Sequence, residues 1–290
     1  MAQVEVCGAS ADKVQSLIEE HGELLYGLSK EGSVRIFGPD ETFEEPRSGR
    51  FRSEDVVRES LRSLVPGLVV VADEQSEGRG RHGSEWVSPE GCLTCSIGVV
   101  LPRAKADLLP FLQYVAALSV VDAVRSTEMG SQVPLQVKWP NDVLINGDKV
   151  AGILCEGIVV EGNMYVSVGI GINVTNENPT CSLKGNLPAS ATISREVVLA
   201  ALINSFEPLF EVLKRDGFEP LKQRYYDRWI HTDQVVSLEN REGKKARILG
   251  LAESGSILLQ LIDSGEEEEL DPYSASLDLN ASTVRVKSTS

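Results

Sequence analysis

From Val56 onward the chain alternates short apolar runs with one long one, a mixed α/β pattern. "GLVVVADEQ" (67–75) and "CLTCSIGVVL" (92–101) are apolar runs of strand length. "DLLPFLQYVAALSVVDAVRS" (107–126) is apolar over much of its surface, which predicts a long helix packed on a sheet. "LQVKWPNDVLING" (135–147) and "KVAGILCEGIVV" (149–160) read as two strands joined at "NGD", a strong hairpin signal. "NMYVSVGIGINV" (163–174) alternates and then turns apolar, as a buried central strand does. Helices are predicted over about 194–215 and 217–230.

Past Thr232 the pattern changes. "QVVSLE", "KARILGLA", "SILLQLI", "EEEELD" and "STVRVK" are short strands at close spacing, the signature of a small antiparallel barrel. Glu266 to Glu269 read as a solvated edge strand or hairpin arm, ahead of a specific acidic docking site. At the other end, "SADKVQSLIEEHGELLYGL" (10–28) reads as one amphipathic helix capped by Ser10, with Gly22 as a weak point. "FGPDETFEEPRSGRF" (37–51) is turn-rich and acidic, a linker or arm. The expected organisation is an arm over 1–50, a catalytic domain over 51–232 and a small β-domain over 233–290. The fold class is α+β.

Composition adds limits. The 290 residues are 42% hydrophobic and 24% charged, values of an ordinary globular protein. A net charge of −15 excludes global attraction to nucleic acid or anionic lipid, so neither is expected as a partner. No apolar run approaches the ~20 residues of a membrane span. The start, "MAQVEVCGASADKVQ", lacks a secretory pattern, and a cytoplasmic location is expected, or an organellar one if a targeting segment lies upstream. Five cysteines suggest free thiols. Cys92 and Cys95 form C-x-x-C inside an apolar run with no second pair, so buried strand cysteines are expected rather than a zinc or redox site.

The chemistry concentrates in three stretches. In "EQSEGRGRHGSEW" (74–86), Gly78, Gly80 and Gly83 match G-x-G-x-x-G, but no helix follows, so a Rossmann turn is excluded. What remains is a flexible loop carrying Arg79 and Arg81, planar donors suited to phosphate or carboxylate. Trp86 is placed to stack on a flat base or to fill a core. In "KWPNDVLINGDKVAGIL" (138–154), Lys138, Asn141, Asp142 and Lys149 gather around a Trp-Pro pair, suggesting an anion site with a carboxylate for metal or proton work. "GIGINVTNENP" ends a strand in small residues that let a ligand approach the backbone; Asn173 reads either as a base-edge contact or as a strand end.

In this order and spacing, "EGRGRHGSEW", "KWPNDVLINGDKVAGIL" and "VGIGINVTNENPT" resemble the biotin–protein ligases, or holocarboxylase synthetases, from about Gly67 to the C-terminus. The style is similar to the plant-type enzymes without a helix-turn-helix. The resemblance implies a class II synthetase-like mixed sheet with helices on one side and an SH3-like C-terminal barrel. It implies that biotin and Mg-ATP form biotinoyl-AMP, which then acylates a lysine on the biotin carrier domain of a carboxylase. Which carboxylase, and the oligomeric state, it leaves open. By family position Arg81, Lys149 and Asp142 would be catalytic. Ser53, Gln75, Arg79, Gly80, Arg81, Lys149 and Gly152 would bind biotin. Arg79, Arg81, Trp86, Lys138, Asn141 and Asn173 would bind ATP or the adenylate, and Asp142 would hold Mg²⁺ or position the attacking amine.

One stretch departs. The family has a Ser-Ser/Thr motif upstream of the glycine loop that hydrogen-bonds the biotin ureido ring. Here "SGRFRSEDVVRESL" offers only Ser53 near that place and looks several residues short. Two other readings therefore stay open beside the ligase: a weakened or shortened biotin- or nucleotide-binding paralogue, kept alive by this departure, and a lipoate-type ligase, disfavoured by "KWPND".

Overall fold

A computed structural model describes residues 3–7, 67–72, 75–177, 181–239, 241, 244–278 and 281–286. The predicted helix over 10–28, the acidic arm and Ser53 lie outside the described residues.

Alternating side chains build the main sheet. Its strands are β1 (Gln3–Cys7), β2 (Leu68–Ala72), β5 (Cys92–Pro102), β6 (Leu135–Lys138), β7 (Asp142–Ile145), β8 (Asp148–Val160) and β9 (Asn163–Asn173). They order as β1-β2-β5-β9-β8-β7-β6, antiparallel except for the parallel β1–β2 pair. Leu93, Cys95, Ile97 and Val99 of β5 and Val166, Val168, Ile170 and Ile172 of β9 join one apolar core. The helices α1 (Leu109–Ser126) and α2 (Arg195–Asp216) pack into that core, on one face of the sheet. The other face carries Thr94, Ser96, Ser167, Gly169 and Gly171, because residues two apart on a strand share a side. That polar, glycine-rich face is where the site lies.

The long apolar run forms α1 as expected, preceded by a 3₁₀ turn over Arg103–Leu108. The combined stretch is long and apolar enough to cross a membrane by length and composition, and most of it is buried in the core of this fold. Ser194 caps α2, its side chain accepting from the Val197 N–H at 3.3 Å. The next helix, α3 (Glu219–Tyr226), ends four residues before the predicted limit of 230. There the chain leaves the helix to bridge β6: Val137 N–H donates to the Arg228 carbonyl at 2.8 Å, and Trp229 pairs with Val137.

One predicted strand needed correction. "LQVKWPNDVLING" is a hairpin of β6 and β7, folded back at a cis Trp139–Pro140 peptide. The "NGD" turn joins β7 to β8 as predicted, with Asn146 (φ 53°) and Gly147 (φ 93°) both left-handed. The β1 strand went unrecognised within the N-terminal arm; it adds an edge to the catalytic sheet.

The C-terminal region forms a six-stranded sheet from β10 (Val235–Leu238), β11 (Lys245–Leu251), β12 (Ile257–Leu261), β13 (Glu267–Leu270), β14 (Ala275–Asp278) and β15 (Thr283–Val286), in the order β13-β12-β11-β10-β15-β14. It is not wholly antiparallel, since β10 and β15 run parallel. The acidic run forms the edge strand β13, as expected. Cys92 and Cys95 are buried in β5, and burial pushes the Cys95 thiol up to about 12, so these thiols are inert fillers.

Candidate active site

The glycine loop is a small antiparallel hairpin of β3 (Gln75–Arg79) and β4 (Glu85–Ser88), turned by a 3₁₀ segment over Arg81–Gly83. No α-helix follows, as the sequence requires. Gln75 pairs in register with Ser88. The hairpin lays Trp86 across the polar face of the sheet. A Cβ on Gly171 would stand 2.4 Å from the Trp86 ring, and one on Gly152 would stand 3.2 Å from it, so the indole occupies the space these glycines leave. Trp86 therefore covers the glycine floor rather than filling the apolar core.

Beside the indole lies a cleft of about 440 Å³, lined by Arg79, Gly80, Arg81, Trp86, Asn141, Asp142, Lys149, Gly152, Gly169 and Gly171 among others. Nine of the residues singled out in the sequence thus converge, counting Arg79, Gly80, Arg81, Trp86, Asn141, Asp142, Lys149 and Gly152 here with Lys138 on an adjoining recess of about 390 Å³. Asn173 does not join them. It is buried at the end of β9, where its side-chain oxygen accepts from Asn176 Nδ2 at 3.0 Å, outside the cleft lining.

The β6–β7 hairpin holds the charges. Asp142 sits between two ammonium groups, Lys149 Nζ at 2.7 Å from Oδ1 and Lys138 Nζ at 3.5 Å from Oδ2. Lys149 Nζ also stands 5.4 Å from the Trp86 ring centroid, a cation–π contact. The hairpin is braced from below. The Trp139 N–H donates to His231 Nε2 at 2.9 Å, and Trp139 Nε1 donates to the Tyr114 hydroxyl at 2.7 Å. Since His231 Nε2 accepts, its proton sits on Nδ1, facing Gln234 Oε1 at 3.0 Å.

That imidazole is neutral and buried, and burial pushes its pKa down to about 4 from the ordinary 6.5. The unfolded chain therefore takes up the proton first. The contribution to stability is complete above pH 6.5 and is lost as pH falls towards 4, in total roughly 3 kcal/mol. Urea denaturation at pH 5 and pH 7 is expected to show this loss in the wild type and a shallower one in His231→Gln. Equal slopes in both proteins would remove His231 from the account.

The loop arginines differ in their partners. Arg79 Nη2 pairs with Glu156 at 3.1 Å on the sheet face. Arg81 reaches across to the C-terminal sheet, donating to the Pro272 carbonyl and, at 2.9 Å, to the Ala275 carbonyl, while Nη1 donates to Asn141 Oδ1 at 3.3 Å. Asn141 is itself held by Nδ2 donating to the Ile153 carbonyl at 2.8 Å. One side chain thus ties the glycine loop, the β6–β7 turn and the C-terminal region together. Sequence reasoning missed Gly171 and the C-terminal Ser276 and Arg285, which complete the walls, and Glu156, the partner of Arg79. Only Gly171, inside the small-residue strand end, carried any signal.

A magnesium ion held by Asp142 does not fit. Both carboxylate oxygens face lysine ammoniums, and among the described residues no group of three or more His, Cys, Asp or Glu could hold a metal.

Residues 50–173 match the biotin/lipoate A/B protein ligase family. The chain is 37% identical over 247 residues to biotin–protein ligase 1, chloroplastic, of Arabidopsis thaliana, covering 81% of this chain and 66% of that protein. It is 32% identical over 225 residues to a biotin–[acetyl-CoA-carboxylase] ligase of Paracoccus denitrificans, covering 72% of this chain and 92% of that protein. Among solved structures it is similar to a biotin protein ligase from Aquifex aeolicus in complex with biotin and ATP. The TM-score is 0.60 at 27% identity, covering 76% of this chain and 92% of that one.

Proposed function

The chain belongs to the biotin–protein ligases of the biotin/lipoate A/B family, and from that premise we propose that it activates biotin with ATP and transfers it to a lysine of a biotin carrier domain. The observation that carries this reading is the set of cations, Lys149, Lys138 and Arg81, grouped around Asp142 at the end of a glycine-floored cleft. The first step joins two anions. A biotin carboxylate oxygen attacks the α-phosphorus, the bond to the β-phosphate oxygen breaks, and pyrophosphate leaves. Fixed ammonium and guanidinium groups offset the repulsion and stabilise the charge that builds on the phosphorus oxygens.

Lys149 is placed for that task at the meeting point of both substrates. Its ammonium pairs with Asp142, faces the Trp86 ring and adjoins Gly152. Lys138 and Arg285 line the adjoining recess, which suits the departing pyrophosphate. In the second step the acceptor amine attacks the acyl carbon, AMP leaves with the bonding electrons, and the amine sheds a proton. Asp142, the cleft carboxylate paired with Lys149, is the group assigned to orient that amine. Magnesium would be supplied with the nucleotide and would screen its phosphate charge. Residues 51–232 form the catalytic unit in this reading, and 233–290 supply one wall of its cleft.

The test is exchange of labelled pyrophosphate into ATP, run with biotin and lipoate side by side. Biotin-dependent exchange is expected. Exchange with lipoate alone would favour the lipoate-type reading, and no exchange with either would favour a binding-only protein.

A further inference from the structure

The cleft floor continues beyond its glycines. Gly169 and Gly171 of β9 and Thr94 of β5 line the cleft. Ser167, two positions before Gly169, lies on the same face of β9. In the β5–β9 register Ser96 stands opposite Gly169, and Gly98 stands opposite Ser167. On the other side Ser167 faces Glu156 of β8, the carboxylate paired with Arg79. A polar patch of hydroxyls and one ion pair therefore follows the glycine floor at the end away from Lys149.

Ser167 stands out within that patch. It is only 2% exposed, yet its Oγ has no hydrogen-bond partner among the described residues. A buried hydroxyl without a partner is costly, and an apolar residue would fit a β-strand better. Its neighbours Val166 and Val168, on the helix side, show what the strand does when only packing matters. The serine shares the face of the sheet that bears the cleft, just beyond the residues that line it, beside a glycine with no side chain to crowd it.

Distance along the strand gives the ligand a direction. Gly171 lies opposite Gly152 in the β8–β9 register, and Gly152 adjoins Lys149. Ser167 lies four residues back along β9, about 13 Å away. That span suits a fused bicyclic ring carrying a five-carbon acid chain, with its carboxylate at Lys149 and its ring at Ser167. The ring end of biotin is a cyclic urea, with one carbonyl acceptor and two N–H donors. A serine hydroxyl can both donate and accept.

We propose that Ser167, from the floor of the sheet, hydrogen-bonds the ureido ring of biotin and is a substrate-positioning residue of this chain. The inference rests on the biotin reading of the cleft. It supplies a contact from β9 where the upstream stretch around Ser53 departs from the family pattern.

Calorimetric titration of the full chain tests it, with biotin, with lipoate as a ligand lacking the urea, and with a non-hydrolysable ATP analogue. Ser167→Ala and Ser167→Val are expected to weaken biotin binding about tenfold. Binding of lipoate and of the ATP analogue should not change. Without ligand the variants should melt at the wild-type temperature or above it, because an unpartnered buried hydroxyl has been removed. Unchanged biotin affinity in both variants overturns the proposal while leaving the ligase reading intact. So does an equal loss for all three ligands with a lower melting temperature, which marks a purely structural role. A wild-type chain that binds no biotin sinks the reading and the proposal together.

Discussion

Replacing Lys149 with alanine is expected to lower biotin-dependent pyrophosphate exchange by ~10²–10³-fold, the usual consequence of removing a charge aimed at a developing anion. The fold should survive. The Lys149 side chain is 38% exposed, and its partner Asp142 keeps Lys138 at 3.5 Å when Lys149 is gone. No charge is left buried and unpaired, so the large cost of breaking a closed ion pair does not arise. Circular dichroism and the melting temperature should match the wild type. Wild-type exchange in a folded Lys149→Ala protein would remove this lysine from the site and leave the cation cluster without its chemical role.

For Arg81→Gly the expected result is leakage, with biotinoyl-AMP appearing in solution and acylating bystander amines. Arg81 is the only described side chain that hydrogen-bonds the loop, Asn141 and two backbone carbonyls of the C-terminal region at once. Hydrogen bonds from a charged donor contribute about 1.5–3 kcal/mol each. Losing this latch should raise the population of open loop by roughly ten- to a hundredfold. A mixed anhydride is protected only while water and foreign amines are kept out. Quantifying released adenylate during single turnover, with and without a lysine-bearing bystander peptide, checks the expectation. Unchanged release would mean that the loop is held shut by other contacts, with Trp86 on its glycine floor the first to examine.

Both predictions begin at residues visible in the sequence, although their partners were not. Arg79, Arg81, Lys149 and Asp142 stood out because charged side chains in glycine-rich and Trp-Pro surroundings are unusual for a surface. The strands β5, β8 and β9 and the helices α1 and α2 followed from periodicity, which local burial enforces residue by residue. The missed β1 strand, "QVEVC", is only five residues long and carries weak periodicity. It is a strand because β2 offers a free edge beside it. The shortened α3 has a similar origin: Trp229 and Val137 pair across 92 residues, a contact that no local pattern announces.

What the sequence by itself determined is the family, the mixed α/β layout and the chemical types gathered at the site. These depend on residue identity and near-neighbour spacing. Only the tertiary structure decided which of those residues meet. It set Asn173 aside at the end of β9 and turned Trp86 onto Gly152 and Gly171. It also set Asp142 between two lysines. Strand register explains the choice. A side chain is presented to the cleft or to the core according to its parity on the strand and to what stands opposite, and the opposite strand is distant in sequence. That parity also puts the Ser167 hydroxyl on the ligand face of the sheet.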